Sequence, residues 1–269
     1  LREIPTPPTV IYCEGELALL GQPAIAVVGS RNPTPVGCES AMHFAGAIGD
    51  HRVTVVSGLA LGIDGVAHRG ALDTAGSTIA VCATGLDMVY PHCCRTLARE
   101  IKESGLMLSE FPPGTGVRRH HFPQRNRLIS GLSLGTLIVE AGLGSGSLIR
   151  AGFSADQGRE VFALPGSVNS PLLRGPHQLI RDGAFLVETP SQILEALCLA
   201  KVEKTGHDPQ VDKPARDGGI LDFVDFAPTP INEIAQRSGL TIAKISAMLI
   251  RVELQGLVKT CAGGYIRLR

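Results

Sequence analysis

Residues 24–31 read AIAVVGSR, an apolar run that ends in Gly29, Ser30 and Arg31. Three further stretches repeat this organisation: VTVVSGLALG at 53–62, TLIVEAGLGSGS at 136–147 and VFALPGS at 161–167. In a parallel sheet, glycine-rich turns of this kind follow the carboxyl ends of the strands and present backbone N–H groups to an anion. The pattern therefore predicts a parallel sheet with several anion-binding turns along one edge.

Strand-like and helix-like segments alternate from residue 24 to about residue 199. The strand segments carry Val, Ile, Leu and Ala at successive positions, which is typical of strands that are covered on both faces. This alternation predicts an α/β fold with a doubly wound, mostly parallel sheet. We predict strands at Ala24–Gly29, Val53–Ser57, Thr78–Thr84, Leu106–Glu110, Thr136–Val139, Val161–Leu164 and Phe185–Leu186, and helices at Cys38–Asp50, Gly62–Ala75, Cys93–Ser104, Arg125–Ser133, Ser147–Gln157 and Ser191–Leu199.

The composition changes after residue 200. Residues 201–219 (KVEKTGHDPQVDKPARDGG) are polar and lack periodicity, so they are predicted to be a linker. Residues 220–269 contain two helical segments joined by a tight turn at Ser238-Gly239-Leu240, followed by a short hairpin, which is typical of a winged helix. We therefore predict a sheet domain at 1–200, with a short N-terminal extension, and a winged-helix domain at 220–269.

Composition limits the classes of function. The chain has 269 residues with 25 basic and 25 acidic side chains, so a nucleic-acid site must be a local patch. The seven cysteines are scattered without a CxxC pair, which favours neither a zinc site nor a disulfide framework and points to a reducing cytosol. We expect no cofactor, no metal and no membrane-spanning run. The chain starts at Leu1 rather than Met, which leaves open an upstream domain.

The turns contain the first candidate binding residues. Gly29, Ser30 and Arg31 combine a backbone N–H, a hydroxyl and a guanidinium, which together suit a phosphate. A second turn offers Ser57, Gly58 and Gly62, and a third offers Gly144, Ser145, Gly146 and Ser147. Asp64 and His68 lie one helical turn apart after the second turn, and we interpret them as structural hydrogen-bonding residues.

A basic segment, RRHHFPQRNR at 118–127, lies between these turns. Arg119 and Phe122 are a cation and an aromatic ring three residues apart, the combination with which single-strand binders hold a phosphate and stack a base. Arg125, Asn126 and Arg127 stand at the predicted start of a helix, where cations oppose the macrodipole and an anionic ligand would offset that cost. Four arginines without an acid favour a ligand with several phosphates, hence a polynucleotide.

Six ordered motifs resemble those of the DprA/Smf family, the DNA-processing protein of natural transformation: GSR, SGLALGID, FPQRNRLISGLS, IVEAGLGSGSLI, QGREVFALPG and NSPLLRGPHQLIRDGA. The resemblance extends from Leu1 to Arg269 and implies an extended Rossmann-like domain with a small winged helix. It further implies a non-catalytic, dimeric protein that binds single-stranded DNA, protects incoming strands and loads the recombinase RecA.

The same resemblance assigns roles to individual residues. It implies that Ser30 and Arg31 bind phosphate, and that Arg119 and Phe122 are the family's basic residue and base-stacking aromatic. Arg125-Asn126-Arg127 corresponds to the family's RNR motif. Arg150 is a departure, because the family usually has threonine at this position.

Two other functions remain open from the sequence. Phosphoribohydrolases also combine glycine-rich turns with an acid, and Glu140 follows a predicted strand here, although their PGGxGTxxE pattern is only partly present. The winged helix could instead be a sequence-specific repressor module, but its second helix, Ile242–Gln255, has only Lys244 and Arg251 as cations.

A second copy of the chain is the remaining expected partner. Two linked pockets hold a long strand better than one because the second contact is intramolecular. The apolar segment Gln178–Leu199 is the predicted dimer surface, through Leu179, Ile180, Ile193, Leu194 and Leu197.

Overall fold

The computed structural model divides the chain into two compact units, Leu1–Lys201 and Val202–Arg269. It describes residues 1–199 and 220–268, so the predicted linker at 201–219 lies outside the described residues. In the described ranges, no helix combines the length and the apolar character needed to span a bilayer.

The described part of the first unit is built on an eight-stranded sheet in the order β1-β5-β4-β3-β2-β6-β7-β8. All neighbouring strands are parallel except β1, which pairs antiparallel with β5. The strands are β1 (Tyr12–Gly15), β2 (Ala24–Val28), β3 (Thr54–Ser57), β4 (Thr78–Cys82), β5 (Leu106–Ser109), β6 (Gly135–Ile138), β7 (Glu160–Ala163) and β8 (Phe185–Leu186).

Helices connect these strands and cover both faces of the sheet. They are α1 (Pro35–Asp50), α2 (Ile63–Leu72), α3 (Arg95–Ser104), α4 (His121–Leu132), α5 (Gly146–Asp156), α6 (Arg174–Arg181) and α7 (Pro190–Ala196). Neighbouring residues of β2 belong to different cores: Ile25 and Val27 pack in one cluster with α1 and α2, and Ala26 and Val28 pack in another with α4 and α5. The predicted doubly wound, mostly parallel α/β sheet is therefore confirmed.

The strand order reverses between β2 and β6. From β2 the chain builds outward through β3, β4 and β5, and it then returns to add β6 on the other side of β2. Such a switch point opens a crevice at the carboxyl ends of the two strands, where parallel α/β sheets bind their ligands. The Gly29–Arg31 turn after β2 and the Glu140–Ser147 segment after β6 flank this crevice.

The second unit has the elements of a winged helix. Helix α8 (Ile231–Ser238) ends at Gly239, whose left-handed φ of 68° terminates the helix, and α9 (Ile242–Leu254) follows Thr241. Strands β9 (Val258–Cys261) and β10 (Gly264–Arg267) form an antiparallel hairpin. The core of this unit is formed by buried aliphatic side chains, namely Ile220, Val224, Ile234, Ile245, Leu249, Val252 and Val258.

Three details differ from the sequence predictions. The edge strand β1 and the short helix α6 were not predicted as separate elements. The helix predicted at Arg125–Ser133 begins one turn earlier, at His121, because Pro123 is tolerated in a first helical turn. Arg125 is therefore not at a helix N-terminus, and the argument from the macrodipole is wrong.

Candidate nucleic-acid interface

The first two turns contact each other at the carboxyl ends of β2 and β3. The Ile63 N–H donates to the Ser30 carbonyl at 3.1 Å, and Gly62 adopts a left-handed φ of 76°. A Cβ on Gly62 would lie 2.8 Å from the Arg31 carbonyl oxygen, and one on Gly29 would lie 2.6 Å from Ile63 Cγ1. Gly62 is therefore required by the close approach of the Ser30–Arg31 backbone, and Gly29 by the packing of the Ile63 side chain, which together fix the Gly29–Arg31 turn against the start of α2.

The third turn joins the same group. The Ser147 hydroxyl donates to the Gly29 carbonyl at 2.7 Å, so the segment after β6 is tied to the turn after β2. Ser145 is the N-cap residue of α5, and its buried Oγ has no hydrogen-bond partner among the described residues. Gly144 has a left-handed φ of 79°, and Gly146 starts the helix. A free hydroxyl beside the N–H groups of a helix N-terminus suits an anionic oxygen.

An open pocket lies beside the first turn. Its cavity volume is about 70 Å³, and its lining is mostly apolar, with one cation and two aromatic rings: Arg31, Gly58, Leu59, Ala60, Leu61, Cys82, Ala83, Thr84, Tyr90, Pro91 and Phe122. Burial raises the pKa of the Cys82 thiol to about 11, so this group is neutral at physiological pH.

Arg31 and Phe122 meet at the mouth of this pocket. The exposed Arg31 guanidinium lies over the half-buried Phe122 ring, 5.6 Å from its centroid, and the Tyr90 ring meets Phe122 edge-on at 6.0 Å. The expected partner of Phe122, Arg119, is exposed in the loop before α4 and does not line the pocket. The expected combination of a cation and an aromatic ring is present, but the cation is Arg31 of the first turn rather than Arg119.

Arg125 and Arg127 have structural partners. Arg125 is only 2 % exposed, and its guanidinium donates to the carbonyls of Gly58 and Val81, each at 2.5 Å. Arg127 is paired with Glu110 at 2.6 Å, and Asn126 is buried. These three residues were predicted to face the ligand, but their side chains are buried or paired within the protein, and Arg125 holds the ends of β3 and β4 behind the second turn.

A second buried cation lies near Arg125. Arg150 is 5 % exposed and pairs with the buried carboxylate of Asp64 at 3.1 Å. Burial, followed by the charge of Arg150, lowers the pKa of Arg125 to about 10, so the Arg125 guanidinium is still protonated at neutral pH. Two cations against one carboxylate leave a net positive charge within the protein near the turns.

His68 holds the second turn through a hydrogen bond from the turn's backbone. The Leu59 N–H donates to His68 Nε2 at 3.3 Å, while His68 Nδ1 lies 2.7 Å from Thr78 Oγ1. Leu59 has a left-handed φ of 52°, an unfavourable conformation for leucine that this hydrogen bond helps to hold. Asp64 and His68 therefore have structural partners, as the sequence interpretation expected. Ser57, in contrast, was predicted to bind the ligand, but it is fully buried and its hydroxyl donates to the Val27 carbonyl at 2.7 Å.

Glu140, the acid considered for catalysis, supports the first turn. Its carboxylate is 4 % exposed and accepts from the Thr34 N–H at 2.9 Å and from the Thr34 hydroxyl at 2.6 Å. Thr34 is the N-cap residue of α1, so Glu140 ties β6 to the start of that helix. Both carboxylate oxygens are engaged in this structural contact.

Sequence analysis missed Tyr90 and the apolar rim at Leu59–Leu61. The available signal was the position of Tyr90 in the loop after β4, at the same edge of the sheet as the glycine turns. A search for aromatic residues in every loop at the carboxyl ends of the strands would have found it.

The matches with known proteins agree with this architecture. The sequence model described as DNA recombination-mediator protein A matches residues 1–198, and the DprA winged helix domain matches residues 205–264. Protein Smf of Escherichia coli is 41 % identical over 97 % of this chain and 72 % of its own length. DNA processing protein DprA of Bacillus subtilis is 41 % identical over 76 % of this chain and 69 % of its own length.

Two solved structures show the same fold. DNA processing protein A from Streptococcus pneumoniae aligns with a TM-score of 0.70 at 42 % identity, covering 72 % of this chain and 68 % of the other. DNA processing protein A from Helicobacter pylori, whose structure describes a single-stranded DNA binding mode, aligns with a TM-score of 0.68 at 31 % identity, covering 73 % and 90 %. With the family match over most of its length, this chain belongs to the DNA recombination-mediator protein A family.

Proposed function

We propose that this chain is a non-catalytic single-stranded DNA-binding protein of the cytoplasm, which protects incoming strands and loads a RecA recombinase on them during natural transformation. The observation that carries the DNA-binding proposal is the pairing of the exposed Arg31 with the Phe122 ring at the mouth of an open pocket. The roles in protection and RecA loading rest on the family resemblance alone.

The chemistry of this pocket favours an unpaired base over a duplex. A base within a duplex is already stacked on its neighbours, whereas a base in a single strand is free to stack on Phe122 or Tyr90. Arg31, Ser30 and the turn at Gly144–Ser147 are then available for the phosphates that flank this base. The relatives named as DNA processing proteins, and the single-stranded DNA binding of the Helicobacter pylori protein, support the same ligand.

Two observations weigh against the phosphoribohydrolase alternative. Glu140 is buried and hydrogen-bonded to Thr34 through both of its oxygens. The pocket of about 70 Å³ is also well below the ~300–1,000 Å³ typical of a site that encloses a small-molecule substrate. A base on a polymer needs only partial insertion, so the pocket suits it better.

Titration with a labelled oligonucleotide tests the proposal. We expect tighter binding to single-stranded than to blunt duplex DNA, with an affinity that falls as salt rises because bound counterions are released. Arg31→Gln and Phe122→Ala should each weaken binding by about 1–3 kcal/mol at an unchanged melting temperature.

Phe226→Ala is the matched control, because Phe226 also has an arginine over its ring, Arg267 at 5.3 Å, but lies in the second unit. It should leave the affinity unchanged. Equal affinity for duplex and single strand would contradict the proposal. So would a Phe122→Ala protein that melts earlier but binds normally once folded.

A further inference from the structure

A second cavity lies on the other side of the loop that carries Tyr90. Its volume is about 440 Å³, and four basic side chains but one acid contribute to its lining: Asp87, Met88, Val89, His92, Arg95, Ala98, Arg99 and Lys102. No aromatic ring other than the His92 imidazole lines it. This groove, defined by Asp87–His92 and the exposed face of α3, suits negatively charged oxygens better than stacked bases.

The charges in the groove are unevenly compensated. The Asp87 carboxylate accepts from the Gly114 N–H at 2.9 and 3.0 Å, and Lys102 is paired with Glu14 at 2.7 Å. Arg95 and Arg99 are exposed, and neither forms an ion pair with any residue that the structure describes. These two guanidinium groups are therefore the cations that the groove offers to a ligand.

The positions of these arginines are unfavourable for the helix itself. Arg95 is the first residue of α3, where a cation opposes the macrodipole, and no acidic residue occupies the first turn. Arg99 follows at the i+4 position, where a like charge is also unfavourable. An anionic ligand bound at this face would remove both penalties.

The groove shares one wall with the pocket lined by Arg31, Tyr90 and Phe122, which we call the base pocket. Tyr90 and Pro91 line the pocket, whereas Met88, Val89 and His92 line the groove, so residues 88–92 separate the two cavities. Pro91 and His92 are consecutive, with Cα atoms about 3.8 Å apart. The two cavities are therefore adjacent, and a strand long enough to pass residues 88–92 would enter the groove.

From this arrangement we propose that the groove binds the phosphodiester backbone of the same single-stranded DNA through Arg95 and Arg99. The contact would lie where the strand leaves the base pocket. This inference rests on the proposed single-strand binding at Phe122. It adds a second contact and lengthens the DNA segment that one protomer covers.

The test compares two strand lengths on the full chain. The double variant Arg95→Gln/Arg99→Gln keeps the polar character and helix propensity of both side chains while removing their charge. Binding is measured with a dT oligonucleotide of about 2 nucleotides, which is too short to extend from the pocket into the groove, and with one of about 20 nucleotides, which also crosses the groove. We expect an unchanged affinity for the short oligonucleotide and an affinity about tenfold weaker for the long one.

The salt dependence gives a second readout. Loss of two phosphate contacts should reduce the slope of log affinity against log salt by about 1.4 for the long oligonucleotide. Arg95→Lys/Arg99→Lys should retain most of the affinity, since it keeps the charge. Arg2→Gln/Arg52→Gln removes two other exposed arginines and should match the wild type on both oligonucleotides.

The outcomes are distinguishable from failure of the proposed function. If the wild-type protein binds neither oligonucleotide, single-strand binding itself is wrong. If the wild type binds both and Arg95→Gln/Arg99→Gln is indistinguishable from it on the long one, the groove is not part of the DNA path, and an acidic protein surface becomes its candidate ligand. Equal losses on both lengths also overturn the inference, because the arginines would then act on the pocket.

Discussion

Single side chains in the interior determine how the glycine-rich turns are held. Arg125 and His68 both act on the Gly58–Gly62 turn: one donates to the Gly58 carbonyl, and the other accepts from the Leu59 N–H. A buried, hydrogen-bonded polar group of this kind is strongly directional, so it selects one backbone geometry. The residues that contact DNA in our proposal therefore depend on residues that solvent does not reach.

The protonation state of His68 links this support to pH. His68 is fully buried, and desolvation lowers the pKa of its imidazole from 6.5 to about 4. Because Nε2 accepts from Leu59, Nδ1 carries the proton and donates to Thr78, so a second proton would place two donors face to face. The neutral imidazole is the form that fits the folded protein.

We therefore predict that His68 makes stability depend on pH below neutrality. Its contribution is fully present above the unfolded-state pKa of 6.5 and is lost as the pH falls towards the folded-state pKa of about 4. The 2.5-unit difference corresponds to roughly 3 kcal/mol across this window. Denaturant unfolding at several pH values, for the wild type and His68→Gln, measures the effect.

The difference between the two proteins isolates His68, since other titrating groups are common to both. His68→Gln should be less stable near neutral pH but should lose less stability on acidification. Parallel curves with a constant offset would show that His68 does not carry the pH dependence.

At the scale of elements, the site is a set of turns whose mutual packing is enforced by glycine. Gly62 brings the start of α2 against the Ser30 and Arg31 backbone, and Ser147 brings the start of α5 against Gly29. Three strand ends, those of β2, β3 and β6, are thereby combined into one surface. A substitution in one turn should therefore alter the conformation of another.

Gly62→Ala tests this coupling. The left-handed φ and the adjoining backbone of Ser30 and Arg31 leave no room for a Cβ, so we expect a loss of about 1–3 kcal/mol in stability. Because the first turn must shift, single-stranded DNA affinity should also fall, by about tenfold if one charge-assisted phosphate contact is lost.

The matched control for that substitution is Gly152→Ala in α5, where a new Cβ has no heavy atom within 4 Å. This change should raise stability by about 0.5–1 kcal/mol and leave DNA binding unaltered. A Gly62→Ala protein that retains wild-type affinity would show that the first turn does not depend on the second.

The elements themselves could largely be read from the sequence, because strands buried on both faces have a distinctive apolar composition, as in AIAVV and TLIV. The roles of the arginines could not be read from the sequence. Arg125 and Arg127 are two residues apart on one helix, yet the first is buried against strand ends and the second pairs with Glu110. Those partners lie 17 to 67 positions away in the chain, so only the folded topology reveals them. Arg31 and Phe122, which are in contact in the structure, are likewise 91 positions apart in the sequence.

At the scale of the whole molecule, the sheet has an exposed edge at β8. Its two residues, Phe185 and Leu186, are 50 % and 48 % exposed, and half-buried Leu179 and Ile180 lie on the preceding helix. The predicted dimer surface has to be corrected here, because Ile193 and Leu194 are 0 % and 1 % exposed and pack in the core with α1. Among the residues that the structure describes, no strand pairs with the outer side of β8, and an apolar edge strand of this kind is a template for pairing with a second copy.

We therefore predict a homodimer formed through α6 and β8. Light scattering at micromolar concentration should report twice the chain mass for the wild type and the single chain mass for Phe185→Lys/Leu186→Lys. Leu20→Lys, at a similarly exposed position away from this edge, should remain dimeric.

Because two linked pockets act at a high effective concentration, the monomeric variant should bind a long single strand up to roughly a hundredfold more weakly, while its affinity for a strand that fills one pocket is unchanged. A wild-type protein that is monomeric yet binds long strands tightly would contradict the prediction, and a dimeric double variant would place the interface on another face.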